Sequence, residues 1–162
     1  MATVKKSLLD KLIEVFVSIL ILAGCLVLFI NVVLRALGYS LKWAEELTRY
    51  LIVWVTFIGG SLCVRDGSHV GVDVLMQKLG EKGKTKLSIV INLICLAFMA
   101  AMTYLGVQMV LQAVHFKQIT PALLIPMAVP YLAIPAGSLL MVLRYIQLIW
   151  ALLKDLKGKE AE

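Results

Sequence analysis

The chain has 162 residues, 61% of them hydrophobic and only 16% charged, with a formal net charge of +6. A soluble domain runs at about 45–50% apolar and about 25% charged, and a fold of this length has too small a core to hide the surplus. Together with a mean hydropathy of +0.94, these figures exclude a soluble enzyme, a nucleic-acid-binding domain and a disordered chain. They direct the apolar excess to lipid or to other membrane helices.

Lys5, Lys6 and Lys11 form a basic flank before the first apolar run. That run is too long for the core of a signal peptide, so it is expected to be a retained first span. Its uncharged stretch, residues 15–34, makes about 30 Å of helix, one hydrocarbon thickness. The second stretch, residues 50–64, makes only about 22 Å. It crosses a bilayer only if the helix starts earlier and carries Arg49 at the membrane edge. The third, residues 87–114, makes about 42 Å and must tilt or project.

The fourth stretch, residues 119–143, holds every proline in the chain: Pro121, Pro126, Pro130 and Pro135. Proline breaks a helix interior. Thr120-Pro121 reads as an N-cap followed by proline at the first helical position. A short broken stretch to about Pro130 is then expected, followed by a spanning helix to Leu153 with a kink near Pro135. Its freed backbone groups need partners that lipid does not offer, and cover by another chain is the expectation. Between the second and third spans, Val70, Val72, Val74, Leu75 and Leu79 suggest a short surface helix among glycine breakers.

The expected fold is an all-α integral membrane protein, one domain over residues 1–162. Its four transmembrane helices are placed at about 13–36, 46–64, 87–115 and 121–153. Twelve of the 16 lysines and arginines then fall on the side of the termini and middle loop. The other side holds Arg35, Lys42, Arg49 and Lys117. By the positive-inside rule both termini are expected in the cytoplasm.

Cys25, Cys63 and Cys95 each lie in an apolar run with no C-x-x-C pair, and read as helix-surface fillers. Asn31 and Gln108 can hydrogen-bond across helices. Gly59 with Cys63, Ala97 with Ala101, and Ala133 with Gly137 have the spacing that lets helix backbones approach. His115 reads as a rim residue beside Lys117.

Two polar constellations remain. Trp43, Glu45, Glu46, Arg49 and Trp54 open the second span. Glu45 or Glu46 can pair with Arg49 at helical spacing, and a charge at the membrane edge usually faces protein. Just past the second span, Arg65, His69 and Asp73 recur every four residues. They read as a local salt-bridge turn or a subunit contact. A metal site of His69 with Asp66 and Asp73 is a thin alternative, because one histidine carries little weight. Walker, H-E-x-x-H and nucleophile-elbow motifs are absent, and so are paired broken half-helices of the transporter kind. The chain reads as a scaffold or accessory subunit and not as an enzyme.

These residues carry a resemblance. Asn31 to Arg35, the block Trp43-Ala44-Glu45-Glu46-Leu47-Thr48-Arg49-Tyr50-Leu51, then Val53-Trp54, Phe57-Ile58-Gly59, Arg65 and His69-Val70-Gly71-Val72-Asp73 stand in order. With Thr120-Pro121-Ala122-Leu123 and the proline series, the chain resembles the small membrane (DctQ-like) subunit of tripartite ATP-independent periplasmic (TRAP) transporters over about residues 10–150. The resemblance implies a sodium-coupled importer of a small organic acid in the bacterial inner membrane. A periplasmic binding protein captures the substrate there. A large elevator-type subunit carries the substrate and sodium sites, so no cofactor is expected on this chain.

The chain would be an obligate, separate partner of that large subunit, surrounded by membrane lipid. The candidate interface implied is Trp43, Glu45, Glu46, Arg49, Trp54, Gly59, Arg65, His69, Asp73, Pro126 and Pro130. Dicarboxylates, sialic acid, sugar acids and sulfonates all stay open as substrates. The alternative is a stand-alone homodimeric proton-coupled exporter working through Glu14. Its layout is similar to that of the small multidrug transporters, although Glu14 lies at the rim.

Overall fold

A computed structural model describes residues 8–39, 41–65 and 81–160. Within these residues the regular elements are helices, with α1 over Leu8–Ala36, α2 over Lys42–Arg65 and α3 over Glu81–His115. The one-turn α4, Ala128–Tyr131, leads directly into α5, Ala133–Glu160. Four stretches are long and apolar enough to cross a bilayer: Asp10–Ala36, Lys42–Arg65, Leu87–His115 and Ala128–Lys154. The second reaches this length as the sequence requires, by starting at Lys42 and carrying Arg49 within the span. The segment holding Val70 to Leu79 lies outside the described residues.

The helix ends follow from local chemistry. Gly38 takes a left-handed φ of 88° after α1, while the Tyr39 amide donates to Leu34 O and the Gly38 amide to Arg35 O. These two bonds satisfy carbonyls that the helix leaves open. Lys117, at φ 48°, ends α3 the same way, with Gln118 N donating to Ala113 O and Lys117 N to Val114 O.

Thr120 does not cap a spanning helix. Its hydroxyl accepts from Ile125 N at 3.1 Å and its carbonyl from Leu124 N at 3.2 Å, which closes a separate turn. The spanning helix therefore starts at Ala128. Pro121 and Pro126 lie in the loop before it, and Pro135 sits in the first turn of α5, where no amide is needed. Pro135 cannot donate to the Tyr131 carbonyl four residues back. The break between α4 and α5 at Leu132 has this origin.

The packing order is α1–α2–α5–α3. The outer helices α1 and α3 do not pack on each other, and α1 does not pack on α5. The order forms an open row, not a closed bundle. On α1 the buried residues Asp10, Val17, Gly24 and Asn31 recur every seven positions, the spacing of a left-handed helix seam. Gly24 meets Leu51 and Gly59 meets Val17 across it.

Between α2 and α5 the approach is closer. A Cβ on Gly137 would fall 2.7 Å from the Phe57 carbonyl oxygen. Ala133 and Ser138 are fully buried nearby, and Ser138 Oγ accepts from Thr103 Oγ1 of α3 at 2.9 Å. Small residues here replace the hydrophobic drive that helices lack in lipid. Ala97 and Ala101, by contrast, lie on the exposed side of α3.

The Gly137 contact is backbone against backbone and has no flexible end to yield. Gly137→Ala is therefore expected to destabilise the chain by about 1–3 kcal/mol, the usual range for overpacking. Thermal unfolding in detergent should show the lower midpoint, and an unchanged midpoint would mean that α2 and α5 can part freely.

Candidate functional site

The polar residues gather at the two ends of α2. At its start, the Leu41 amide donates to Asn31 Oδ1 of α1 at 3.3 Å, which fixes where the chain turns. The first turn then sends Glu45 and Glu46 in different directions, as successive helical positions must lie about 100° apart.

Glu46 points inward and is buried. Its Oε2 accepts from Ala122 N at 2.7 Å and Leu123 N at 3.1 Å, and its Oε1 from the Tyr50 hydroxyl at 2.6 Å. The carboxylate thus holds the proline-rich turn through two amides that have no helical partner. These two groups, expected to be covered by another chain, are satisfied within this one. Leu124, at φ 56° and 75% exposed, stands at the tip of that turn. Pro130 is buried beneath it, while Pro126 is exposed and bridges Ile119.

Glu45 points outward and lies 3.8 Å from Arg35. Both groups are well exposed, so the pair contributes little. Arg49 is exposed about 10 Å along α2 and forms no ion pair among the described residues. Glu45, Arg49, Ile52 and Thr56 are all exposed and share one helical face. Neither acid pairs with Arg49, as the sequence spacing had allowed. Trp43 is exposed and Trp54 half-buried, and Gly59 takes part in the α1 seam.

At the other end of α2 lies a cluster that the sequence pattern did not single out. Arg65 is buried with its Nη2 2.9 Å from Glu14 Oε1 and its Nη1 3.6 Å from Asp10 Oδ2. Arg144 of α5 donates to Asp10 Oδ1. Arg65 thus pairs with α1, while its sequence companions His69 and Asp73, with Asp66, lie outside the described residues. Asp10 was detectable as the first member of the seven-residue stripe on α1. Arg144 had no local signal, because its partner stands 134 positions away.

The cluster also bears on Glu14. A carboxylate that exchanges protons with a substrate must be able to shed its counter-ion. Glu14, on which the exporter alternative rests, has the Arg65 guanidinium 2.9 Å from its carboxylate and is 37% exposed.

The family model for the DctQ component of tripartite ATP-independent periplasmic transporters matches residues 24–155. The chain is 40% identical to the C4-dicarboxylate TRAP transporter small permease protein DctQ of Rhodobacter capsulatus, over 68% of this chain and 48% of that protein. It is 32% identical to the ectoine TRAP transporter small permease protein TeaB of Halomonas elongata, over 85% of this chain and 74% of that protein. It is 24% identical to the isethionate TRAP transporter permease protein DctMQ of Oleidesulfovibrio alaskensis, over 74% of this chain but 19% of that protein. The chain thus spans about half the length of the first relative and under a fifth of the last.

Proposed function

Because the chain belongs to the DctQ component family of TRAP transporters, we propose that this small permease subunit is a fixed scaffold packed on the large subunit. It is a multi-pass membrane protein and not an enzyme. In this reading the transporter imports a small organic acid with sodium across the inner membrane, and both solutes are handled by the large subunit. The termini face the cytoplasm, and the start of α2 faces the periplasm.

The observation that carries the reading is the exposed stripe Glu45–Arg49–Ile52–Thr56 on α2. It presents a cation within a membrane span, and such a charge is stable against protein and costly against lipid. The open row of helices agrees, since a row with α1 and α3 apart encloses no pathway of its own. Further support comes from the isethionate relative, in which a segment like this chain is part of a much longer permease protein named DctMQ. The relatives' names cover a C4-dicarboxylate, ectoine and isethionate. That range fits a subunit that does not choose the substrate.

Arg49→Ala is the direct test. It is expected to reduce co-purification with the large subunit roughly ten-fold, as the loss of a desolvated charge contact of about 1.4 kcal/mol or more would. Arg49→Lys should recover part of it. Full co-purification and full uptake with Arg49→Ala would reduce the residue to a side chain reaching for the headgroups.

A further inference from the structure

The cluster at the end of α2 joins three helices, only two of which pack on a common neighbour. Asp10 and Glu14 come from α1, Arg65 from α2 and Arg144 from α5. The side chains of Asp10, Arg65 and Arg144 are 6%, 3% and 10% exposed, and Glu14 is 37% exposed. Among the described residues two acids face two bases. No backbone contact joins α1 to α5. The Asp10 carboxylate spans that gap, with one oxygen on Arg144 and the other on Arg65.

We infer that Asp10 and Arg144 are positioning residues that clasp α1 to α5 across α2 and set the register of the edge helix α1. The inference rests on the scaffold reading for its purpose and on this geometry for its content. Among the described helices α1 packs on α2 alone, and in lipid a seam of aliphatic side chains resists sliding only weakly. Its stripe ends in a polar residue on each side, Asp10 in the clasp and Asn31 on the Leu41 amide. Polar residues at the ends of an apolar seam favour the register in which both keep their partners at once. A slip of one helical turn, about 5.4 Å, would take Asp10 off Arg144 and Asn31 off the Leu41 amide together, with only Glu14, one turn along, to replace Asp10. The clasp thus makes α1, α2 and α5 one rigid body that does not yield when a partner domain moves against it.

The test separates register from stability. Spin labels at Leu12 of α1 and Ile146 of α5, both exposed, would report the α1–α5 distance in the full chain in lipid nanodiscs, with the native cysteines replaced. Asp10→Asn orphans Arg144, and should broaden the distance distribution and lower the unfolding midpoint by about 10 °C. Asp10→Leu with Arg144→Met removes both charges of the pair while Arg65 keeps Glu14, so its midpoint should return towards that of the parent. Its distribution should stay roughly two-fold broader, because apolar side chains restore packing but no register.

A double variant as narrow as the parent would overturn the inference, since packing alone would then place α1. A failure of Asp10→Asn to fold leaves the double variant to decide. The distance is read on this chain alone, so the outcome is independent of whether the large subunit docks on the Arg49 stripe.

Discussion

Membrane vesicles holding the large TRAP subunit and its binding protein, but not this chain, are expected to show sodium-driven uptake no higher than empty vesicles. Adding this chain to the same membranes should restore it. The expectation follows from the division of labour that the helix row supports. A transport domain that shifts its substrate through the bilayer needs a counterpart that stays still. Four helices held in a row by close backbone approach at Gly137 and by ion pairs at Asp10 form such a counterpart. The effect should be large because an unanchored elevator moves with its frame and not against it. Full uptake by the large subunit without this chain would refute the scaffold role.

The second large effect is expected at Glu46. Its carboxylate accepts from both the Ala122 and Leu123 amides and from the Tyr50 hydroxyl. Glu46→Ala would leave these donors to find water or remain unpaired, and unpaired donors destabilise the local fold. The turn over residues 116–127 would then open more often. Limited proteolysis in detergent should cut that turn roughly ten-fold faster than in the parent, because cleavage follows the population of the open form.

Glu46→Gln keeps one acceptor oxygen and should fall between the two. A cleavage rate that does not change with Glu46→Ala would mean that the loop is shaped by Thr120 and its prolines alone. The orders of effect at Arg49 and Glu46 differ in kind. The Arg49 variant should fold normally and lose its partner, whereas the Glu46 variant should lose its own loop first.

Much of this was legible in the residues. The four spans follow from uncharged length, and the second span had to include Arg49 for reasons of length alone. The W-A-E-E-L-T-R-Y block marked the start of α2 as the place where polar residues matter. The helical period explains what remained hidden there. Glu45 and Glu46 look alike in the sequence, yet a 100° turn sends one to solvent beside Arg35 and the other beneath the proline loop. Which acid goes inward depends on which side α5 packs, and that is not a local property. The prolines were read correctly as breakers, but the carboxylate that accepts their loop's amides is 76 positions earlier.

The sequence by itself determined that the chain lies in a membrane, crosses it with four helices and belongs with the DctQ-like subunits. Hydropathy and short motifs are local, and locality is enough for those conclusions. Only the tertiary structure decided that the helices stand in an open row and that Asp10, Glu14, Arg65 and Arg144 meet at one end of it. It also decided that Arg49 stands exposed within a span and forms no ion pair among the described residues. The reason is physical. Burying a charge is tolerable only beside a counter-charge or hydrogen-bond donors that satisfy it, and the order in which helices pack brings such partners together from positions the chain keeps far apart.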